Sequence, residues 1–183
     1  MLINVGDLSY TMNPHEQKII NLFYYDLMGQ FHIREIGRKT GLDTKTVMKY
    51  LKKFTKERLI TRSKKRGGFP YYEANRLCPL YRHKKSIAAL EKIYESGIIE
   101  RLEKELSPKV MVVYGSMRKG TYHPKSDIDI FVQAKYKLVG LYDIEMKLGH
   151  KVHLLFEEDL KNLSKGLLQN IYNGIVISGE LEL

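Results

Sequence analysis

The sequence has little cysteine and no long apolar run, and both absences limit what the protein can be. Its single cysteine, Cys78, excludes an intramolecular disulfide framework and a cysteine-rich zinc site. No run of eighteen apolar residues and no signal peptide are present, so we expect a soluble, cytoplasmic protein without a membrane segment. Internal repeats and low-complexity segments are absent as well. The 183 residues, 43% apolar and 28% charged, suit one globular domain of ordinary size or two small ones.

The net charge of +10 is distributed unevenly along the chain. Residues 1–76 contain fifteen lysines and arginines against seven acidic residues, whereas residues 77–183 contain sixteen against fourteen. Such asymmetry favours a polyanionic partner for the first part of the chain. The alternative is a basic face that only confers solubility.

The most informative stretch begins with an apolar, mostly β-branched run, Val110 to Tyr114, which predicts a buried strand. A polar loop follows, and polar and apolar residues then alternate with a period of two. On a strand, this alternation puts Asp127 and Asp129 on one face while Ile128 and Ile130 point into the core.

Two neighbouring carboxylates repel each other unless a cation lies between them. A hard ion such as Mg²⁺, held by carboxylates and substrate phosphates, fits this pattern. The loop between the two strands supplies groups that suit phosphate. Gly115 permits a close backbone approach, Ser116 offers a hydroxyl, and Arg118 and Lys119 offer positive charge.

This combination resembles the nucleotidyltransferase superfamily related to DNA polymerase β, and more closely its minimal nucleotidyltransferases. A lone pair of aspartates is a weak signal, but the whole pattern between two predicted strands is specific. The matching residues are Gly115, Ser116, Arg118, Gly120, Ser126, Asp127 and Asp129. The resemblance implies that Asp127 and Asp129 hold Mg²⁺ or Mn²⁺, and that the loop residues together with Ser126 bind ATP or another nucleoside triphosphate.

The sequence of residues 1–76 predicts three helices followed by a basic hairpin. The predicted elements are helices from Pro14, over 33–40 and over 44–58, and strands over 59–62 and 70–73. A short turn containing Gly41 separates the second helix from the third. The order and length of these elements are similar to those of winged helix-turn-helix domains, which implies double-stranded DNA as a partner.

The resemblance places the third helix in a major groove and the hairpin against phosphates. The residues expected to contact DNA are Thr44, Lys45, Thr46, Lys49 and Lys53 on the helix, and Lys64, Lys65 and Arg66 on the hairpin. Lysines mostly position a protein on DNA rather than read its sequence. The alternative is a winged domain that contacts proteins, with its lysines merely solvated.

The rest of the chain predicts a helical connector over 77–106 and a mixed α/β domain over 107–183. Together with the first domain this makes an α+β protein. Ser96 and Gly97 should divide the connector into two helices. Some of its apolar positions suit core packing, and others suit a homodimer that would read two DNA half-sites.

Active members of the superfamily carry a third carboxylate on the strand that follows the aspartate pair. The matching position here is His153, on a strand predicted over 151–156. A neutral imidazole is a poor Mg²⁺ ligand, although it can act as a general base or bind a softer metal. Glu157 and Glu158 lie just beyond the strand and are the alternative source of a third carboxylate, although their position departs from the family's pattern. His153 can therefore be a base, a mark of a degenerate site, or a residue without a role in chemistry.

Two functions follow from these residues. The first is a DNA-binding transcriptional regulator whose nucleotidyltransferase-fold domain binds Mg²⁺ and a nucleotide without efficient turnover. The second is an active enzyme that moves a nucleoside monophosphate onto a protein, RNA or small-molecule hydroxyl and releases pyrophosphate. In the second case Asp127, Asp129 and His153 are the catalytic residues.

Overall fold

A computed structural model of the protein describes residues 12–181. The chain divides into two compact units, Met1–Asn75 and Arg76–Leu183. The first eleven residues of the predicted domain 1–76 and the last two of the predicted domain 107–183 lie outside the described residues. Among residues 12–181, none of the helices has both the length and the apolar character needed to cross a bilayer.

The described part of the first unit contains helices and one hairpin in the predicted order. The elements are α1 (Pro14–Tyr25), α2 (Ile33–Thr40), α3 (Thr44–Lys56), β1 (Ile60–Lys64) and β2 (Pro70–Ala74). Asn13 and Glu16 form a capping box at the start of α1, and the Asp43 side chain caps α3. Gly41 ends α2 in the left-handed conformation at φ 70°. Helix α3 ends two residues before its predicted end because Arg58 also adopts a left-handed backbone.

One face of each helix forms the core of the first unit. Ile19, Ile20 and Phe23 of α1 are fully buried, as are Val47, Leu51 and Phe54 of α3. Strands β1 and β2 are antiparallel, and Phe31, just before α2, forms a further β-bridge with Tyr72 of β2. This bridge fixes the hairpin to the start of α2.

The second unit has helices on both faces of a small mixed sheet. Its helices are α4 (Pro79–Glu95), α5 (Ile98–Leu106), α6 (Gly115–Lys119), α7 (Tyr142–Leu148) and α8 (Lys165–Tyr172), with a 3₁₀ turn at Leu160–Asn162. Its strands are β3 (Val110–Tyr114), β4 (Ile128–Val132), β5 (Val152–Phe156) and β6 (Ile175–Gly179). The sheet order is β5-β4-β3-β6, in which only the β4–β5 pair is parallel.

The two faces of the sheet support separate apolar clusters. Met111, Val113, Ile128 and Ile130 pack on one face with residues of α4, α5 and α7. Val110, Val112, Tyr114 and Phe131 pack on the other face with Ile171 of α8. Both faces of β3 are buried, which is why its sequence is continuously apolar rather than alternating.

Two local features differ from the sequence-based expectations. The polar loop after β3 is the one-turn helix α6, which Gly120 ends at φ 63°. Helix α7 begins at Tyr142 rather than at residue 138. Helices α4 and α5, over the predicted connector, contribute Ala89, Ile93 and Leu102 to the core of the second unit.

Candidate functional site

The two aspartates lie at the start of β4, on the face of the sheet that α8 partly covers. Asp129 is the register partner of Tyr114 across the β3–β4 pair, and its side chain is about one-third exposed. Asp127 directly precedes the strand and is exposed. Ile128 and Ile130 are buried on the opposite face, as the alternation predicted.

Gly115, the first residue of α6, lies directly against the Asp129 carboxylate. A Cβ atom added at Gly115 would collide with Oδ2 of Asp129, and Gly115 also has a left-handed backbone at φ 70°. Both the space and the backbone conformation therefore require glycine. Because β3 turns into α6 at this point, the start of α6 lies beside the Asp129 carboxylate.

We expect Gly115→Ala to destabilise the protein and to displace the Asp129 carboxylate. A left-handed alanine costs about 1–2 kcal/mol, and the collision with Oδ2 adds to that cost. Chemical denaturation of the variant measures the loss. Gly140→Ala is the matched control, because a Cβ there meets nothing within 4 Å and Gly140 is not left-handed. Equal unfolding free energies for the two variants would contradict this account of Gly115.

His153 lies beside Asp129 at the position that the resemblance assigns to the third carboxylate. Strands β4 and β5 are parallel with Asp129 and His153 in register, and Nδ1 of His153 is 3.6 Å from Oδ1 of Asp129. Asp129 and His153 thus point to the same face of the sheet. Asp127, Asp129 and His153 form the candidate site, which contains two carboxylates and an imidazole.

The electrostatic environment of Asp129 disfavours an isolated negative charge. Partial burial raises the pKa of the Asp129 carboxyl above its usual range, while the His153 imidazole opposes that rise and the neighbouring Asp127 charge adds to it. Burial, together with the Asp129 charge, also raises the pKa of the Tyr114 hydroxyl. A bound cation would relieve the repulsion between the two carboxylates.

The Glu157 carboxylate does not replace the third carboxylate, contrary to one expectation from sequence. The Glu157 backbone N–H donates to the carbonyl of Val132, the last residue of β4. Val132 lies three positions after Asp129 along β4, a distance of about 10 Å. The Glu157 carboxylate instead accepts from the backbone N–H groups of Glu158 and Asp159 and from the Asn162 amide, and these bonds lower its pKa. It therefore stabilises a turn at the far end of the strand.

Ser126 and His150 fix the turn that leads into Asp127. The Ser126 hydroxyl accepts from the His123 N–H at 3.1 Å, and the Ser126 N–H donates to the His123 carbonyl. Nδ1 of His150 lies 2.8 Å from the Ser126 carbonyl, which can only accept, so this nitrogen carries the proton. Sequence reasoning gave His150 no role, since its partner lies 24 residues away in the chain.

Arg118 and Lys119 line a groove together with two basic residues that the sequence analysis overlooked. Arg82 and His83 of α4 lie on its opposite side, and the groove has a volume of about 620 Å³. Its described lining residues include no acidic side chain. The apolar part consists of Pro79, Ile87, Leu90 and Ile175. Such a groove suits an anionic ligand with an apolar portion.

Two contacts hold α4 and α6 together beside this groove. The Ser86 hydroxyl donates to the Arg118 carbonyl at 2.8 Å. Gly120 lies so close to the Arg82 carbonyl that any Cβ there would collide with it. These contacts hold the backbone of Arg118 against α4, so that Arg82 and Arg118 both line the groove and make it suitable for an anion.

The carboxylates of the candidate site suit a divalent cation that binds together with a nucleotide. Among residues 12–181, no group of three or more histidine, cysteine, aspartate or glutamate side chains is arranged to hold a metal ion by itself. Mg²⁺, however, usually binds one or two carboxylates and completes its shell with water and substrate phosphates. Asp127 and Asp129 supply those two carboxylates.

The predicted DNA-contacting residues of the first unit are not equally available. Thr44, Lys45 and Lys49 on α3 and Lys64, Lys65 and Arg66 on the hairpin are exposed. Lys53 instead forms an ion pair with the buried Glu16 carboxylate. The Thr46 hydroxyl donates to Asp43 at 2.6 Å and so belongs to the helix cap, a bond that lowers the pKa of the Asp43 carboxyl.

Residues 96–181 match the family model described as polymerase beta, nucleotidyltransferase. The second unit therefore contains a nucleotidyltransferase-fold domain, and the match covers the Gly115–Asp129 segment and His153 but neither α4 nor the first unit. Neither a comparison with curated proteins nor one with solved structures found a significant match to the chain.

Proposed function

We propose that the protein is a DNA-binding regulator in which the second unit binds a divalent metal–nucleotide complex. The observation that carries the nucleotide part is the Asp129 carboxylate, which lies against the Gly115 backbone with His153 beside it in register. This arrangement holds a carboxylate for a metal directly beside the start of α6, where the next residue, Ser116, carries a hydroxyl for a phosphate.

Asp127 and Asp129 are the residues that would hold Mg²⁺ or Mn²⁺. When bound, the ion would neutralise the charge of the triphosphate. Ser116, next to Gly115, offers a hydroxyl to a phosphate, and Arg118 and Lys119 supply positive charge together with Arg82 across the groove. ATP or another nucleoside triphosphate matches this combination of groups.

His153 favours binding over efficient turnover. An imidazole next to Asp129 contributes no third oxygen ligand, and Glu157 is held at the opposite end of β5. The site then retains the groups that bind a metal-bound triphosphate but lacks a carboxylate to complete a catalytic metal site. We infer that the nucleotide acts as a signal in this protein.

The order of helices and hairpin in the first unit, and the basic residues that they expose, support the DNA-binding part of the proposal. A tight turn with left-handed Gly41 joins α2 to α3, and the exposed start of α3 carries Thr44, Lys45 and Lys49. The hairpin exposes Lys64, Lys65 and Arg66. A helix that enters a major groove and a basic hairpin that meets phosphates would use these two surfaces. A homodimer would let two copies of α3 contact two half-sites.

Reversal of charge on α3 should weaken DNA binding. We expect Lys45→Glu and Lys49→Glu each to lower the affinity for a duplex of random sequence by about tenfold, because each removes a phosphate contact and adds repulsion. The slope of log affinity against log salt concentration should become shallower by about one for each phosphate interaction that is removed. Fluorescence anisotropy at several salt concentrations measures both quantities.

Lys18→Glu is the charge-matched control for this experiment. Lys18 is exposed on α1, and its reversal changes the net charge by the same amount. We expect it to leave the salt slope unchanged. If all three variants lost the same affinity, binding would depend on overall charge, and α3 would not be the contact helix.

A second candidate function is nucleotidyl transfer itself. The observation that favours it is the 3.6 Å separation of His153 Nδ1 and Asp129 Oδ1, which puts a base next to the metal-binding carboxylate. An acceptor hydroxyl would attack the α-phosphorus, its proton would pass to His153, a new oxygen–phosphorus bond would form and pyrophosphate would leave.

ATP labelled at the α-phosphate separates the two candidates. The protein is incubated with labelled ATP and Mn²⁺ in the presence of cell extract as a source of acceptors, alongside a variant that carries Asp127→Asn and Asp129→Asn. Label transferred by the wild type and not by the variant would establish that the protein is a nucleotidyltransferase. Nucleotide binding without transfer would support the regulator.

A further inference from the structure

Lys85 is a fully buried lysine in α4, outside the segment that matches the nucleotidyltransferase family. Its ammonium donates to the Tyr122 carbonyl at 2.6 Å and lies 4.1 Å from the centre of the Tyr122 ring. The environment of Lys85 is otherwise dominated by burial, without a charged partner among the described residues. The ammonium is therefore held by one carbonyl and one aromatic face.

Such an ammonium is costly to keep inside a protein. An apolar side chain of similar length would avoid the loss of hydration that a buried cation suffers. Burial lowers the pKa of Lys85 to about 7, which reflects this cost. The lysine is thus a poor choice for stability alone, and its contacts indicate what else it does.

Those contacts lead to the turn before Asp127. Tyr122 directly precedes the His123–Ser126 turn, and its ring meets the edge of the His150 ring at 5.8 Å between centroids. His150 in turn donates to the Ser126 carbonyl. Lys85, Tyr122, His150 and Ser126 therefore form one packed group that ends next to Asp127.

Helix α4 also holds the other end of the same segment. The Ser86 hydroxyl bonds the Arg118 carbonyl, and Gly120 packs against the Arg82 carbonyl. Ser86 and Arg82 are neighbours of Lys85 on α4. The chain between Arg118 and Tyr122 is thus fixed at both ends by one helix, with Lys85 at the end nearer to Asp127.

We propose that Lys85 is a positioning residue, whose ammonium holds the Tyr122 carbonyl so that the following turn presents Asp127 beside Asp129 to a metal-bound nucleotide. The proposal rests on the proposed nucleotide binding for its functional consequence. Its structural part, the fixing of residues 121–127 by Lys85, does not depend on that function.

The test compares Lys85→Met with the wild type by hydrogen exchange and by nucleotide binding. Methionine keeps the length of the side chain and removes the charge and the donor. We expect amide exchange in residues 121–127 to become about tenfold faster or more, with exchange elsewhere unchanged. We also expect the affinity for ATP with Mn²⁺ to fall about tenfold or more, although the variant unfolds at no lower denaturant concentration than the wild type.

Two further variants complete the experiment. Lys92→Met changes an exposed lysine of the same helix and should leave both measurements unchanged. Lys85→Leu removes both the charge and the donor with a shorter side chain, so it has the same expected results as Lys85→Met and serves if that variant does not fold. The combination of full stability with weakened binding is the signature of positioning, because a merely structural lysine would cost stability when removed.

The outcomes that overturn the proposal are distinct from a failure of the proposed function. Unchanged exchange in residues 121–127 would overturn it, and so would faster exchange throughout the second unit with a loss of stability. Nucleotide affinity equal to that of the wild type would also overturn it. If the wild type bound no nucleotide, the proposed function would fail, and the exchange data would still decide whether Lys85 fixes the turn.

Discussion

We expect His153→Asp to increase nucleotidyl transfer at the proposed site. An aspartate at this position would add a third carboxylate on the face of the sheet where Asp129 lies, since the two residues are in register on β4 and β5. The added oxygen ligand and base should raise transfer of the α-phosphate label by about tenfold or more. The same assay on the wild type gives the reference rate.

Stability offers an independent readout of the same substitution. A third negative charge beside Asp127 and Asp129 should lower the unfolding free energy in the absence of metal, because the carboxylates repel each other. Mn²⁺ should restore it, since a ligand that binds only the folded state stabilises that state. His153→Asn, which has the shape of aspartate without the charge, should show neither effect. Equal transfer and equal Mn²⁺ response in the two variants would mean that position 153 does not face the metal.

The stability of the wild type should rise with pH above neutrality through Lys85. Its pKa is about 7 in the folded protein, whereas an unperturbed lysine, which represents the unfolded chain, has a pKa of 10.5. Between these values the unfolded state binds more protons, so the unfolding free energy increases by up to about 1.4 kcal/mol per pH unit. The hydroxyl of Tyr122, whose ring lies beside Lys85, does not titrate in this range, because burial raises its pKa to about 12. His150 packs on Tyr122 rather than on the ammonium.

Lys85→Met isolates this contribution from all other titrating groups. We expect the variant to be more stable than the wild type at pH 6 to 7, and the difference to shrink steadily as the pH rises toward 10. Denaturant unfolding at a series of pH values measures the difference. A difference that does not change with pH would show that Lys85 keeps an ordinary pKa, and a variant less stable at every pH would make the lysine a net stabilising residue.

The parts of the site that are local in sequence were predictable. The alternation around Ile128 and Ile130 gave the buried face of β4 and the opposite face for Asp129, because strand geometry alone determines it. Gly115 stood out because glycine permits a close approach, although the group that approaches is the Asp129 carboxylate itself. The resemblance to the nucleotidyltransferases assigned His153 to the position of the third carboxylate, and the register of β4 and β5 puts it beside Asp129.

The parts that depend on packing between distant elements were not predictable. The polar character of residues 115–119 suggested a loop, whereas the structure has a one-turn helix held against α4. Helical spacing in α4 indicated a connector, and nothing in it marked Lys85 as buried or Arg82 as a neighbour of Arg118. The sequence grouped Lys53 with the exposed lysines of α3, because it shows only the charge of each residue. The ion-pair partner of Lys53, Glu16, lies 37 residues away in the chain.

The most direct test of the central claim is a calorimetric titration of a non-hydrolysable ATP analogue in the presence of Mn²⁺. The account predicts one nucleotide bound per chain, binding that requires the metal, and loss of that binding in Asp129→Asn. Asp143→Asn, the same change on an exposed aspartate of α7, should bind as the wild type does. Binding that persists in Asp129→Asn, or that is equally strong without the metal, would contradict the assignment of this site.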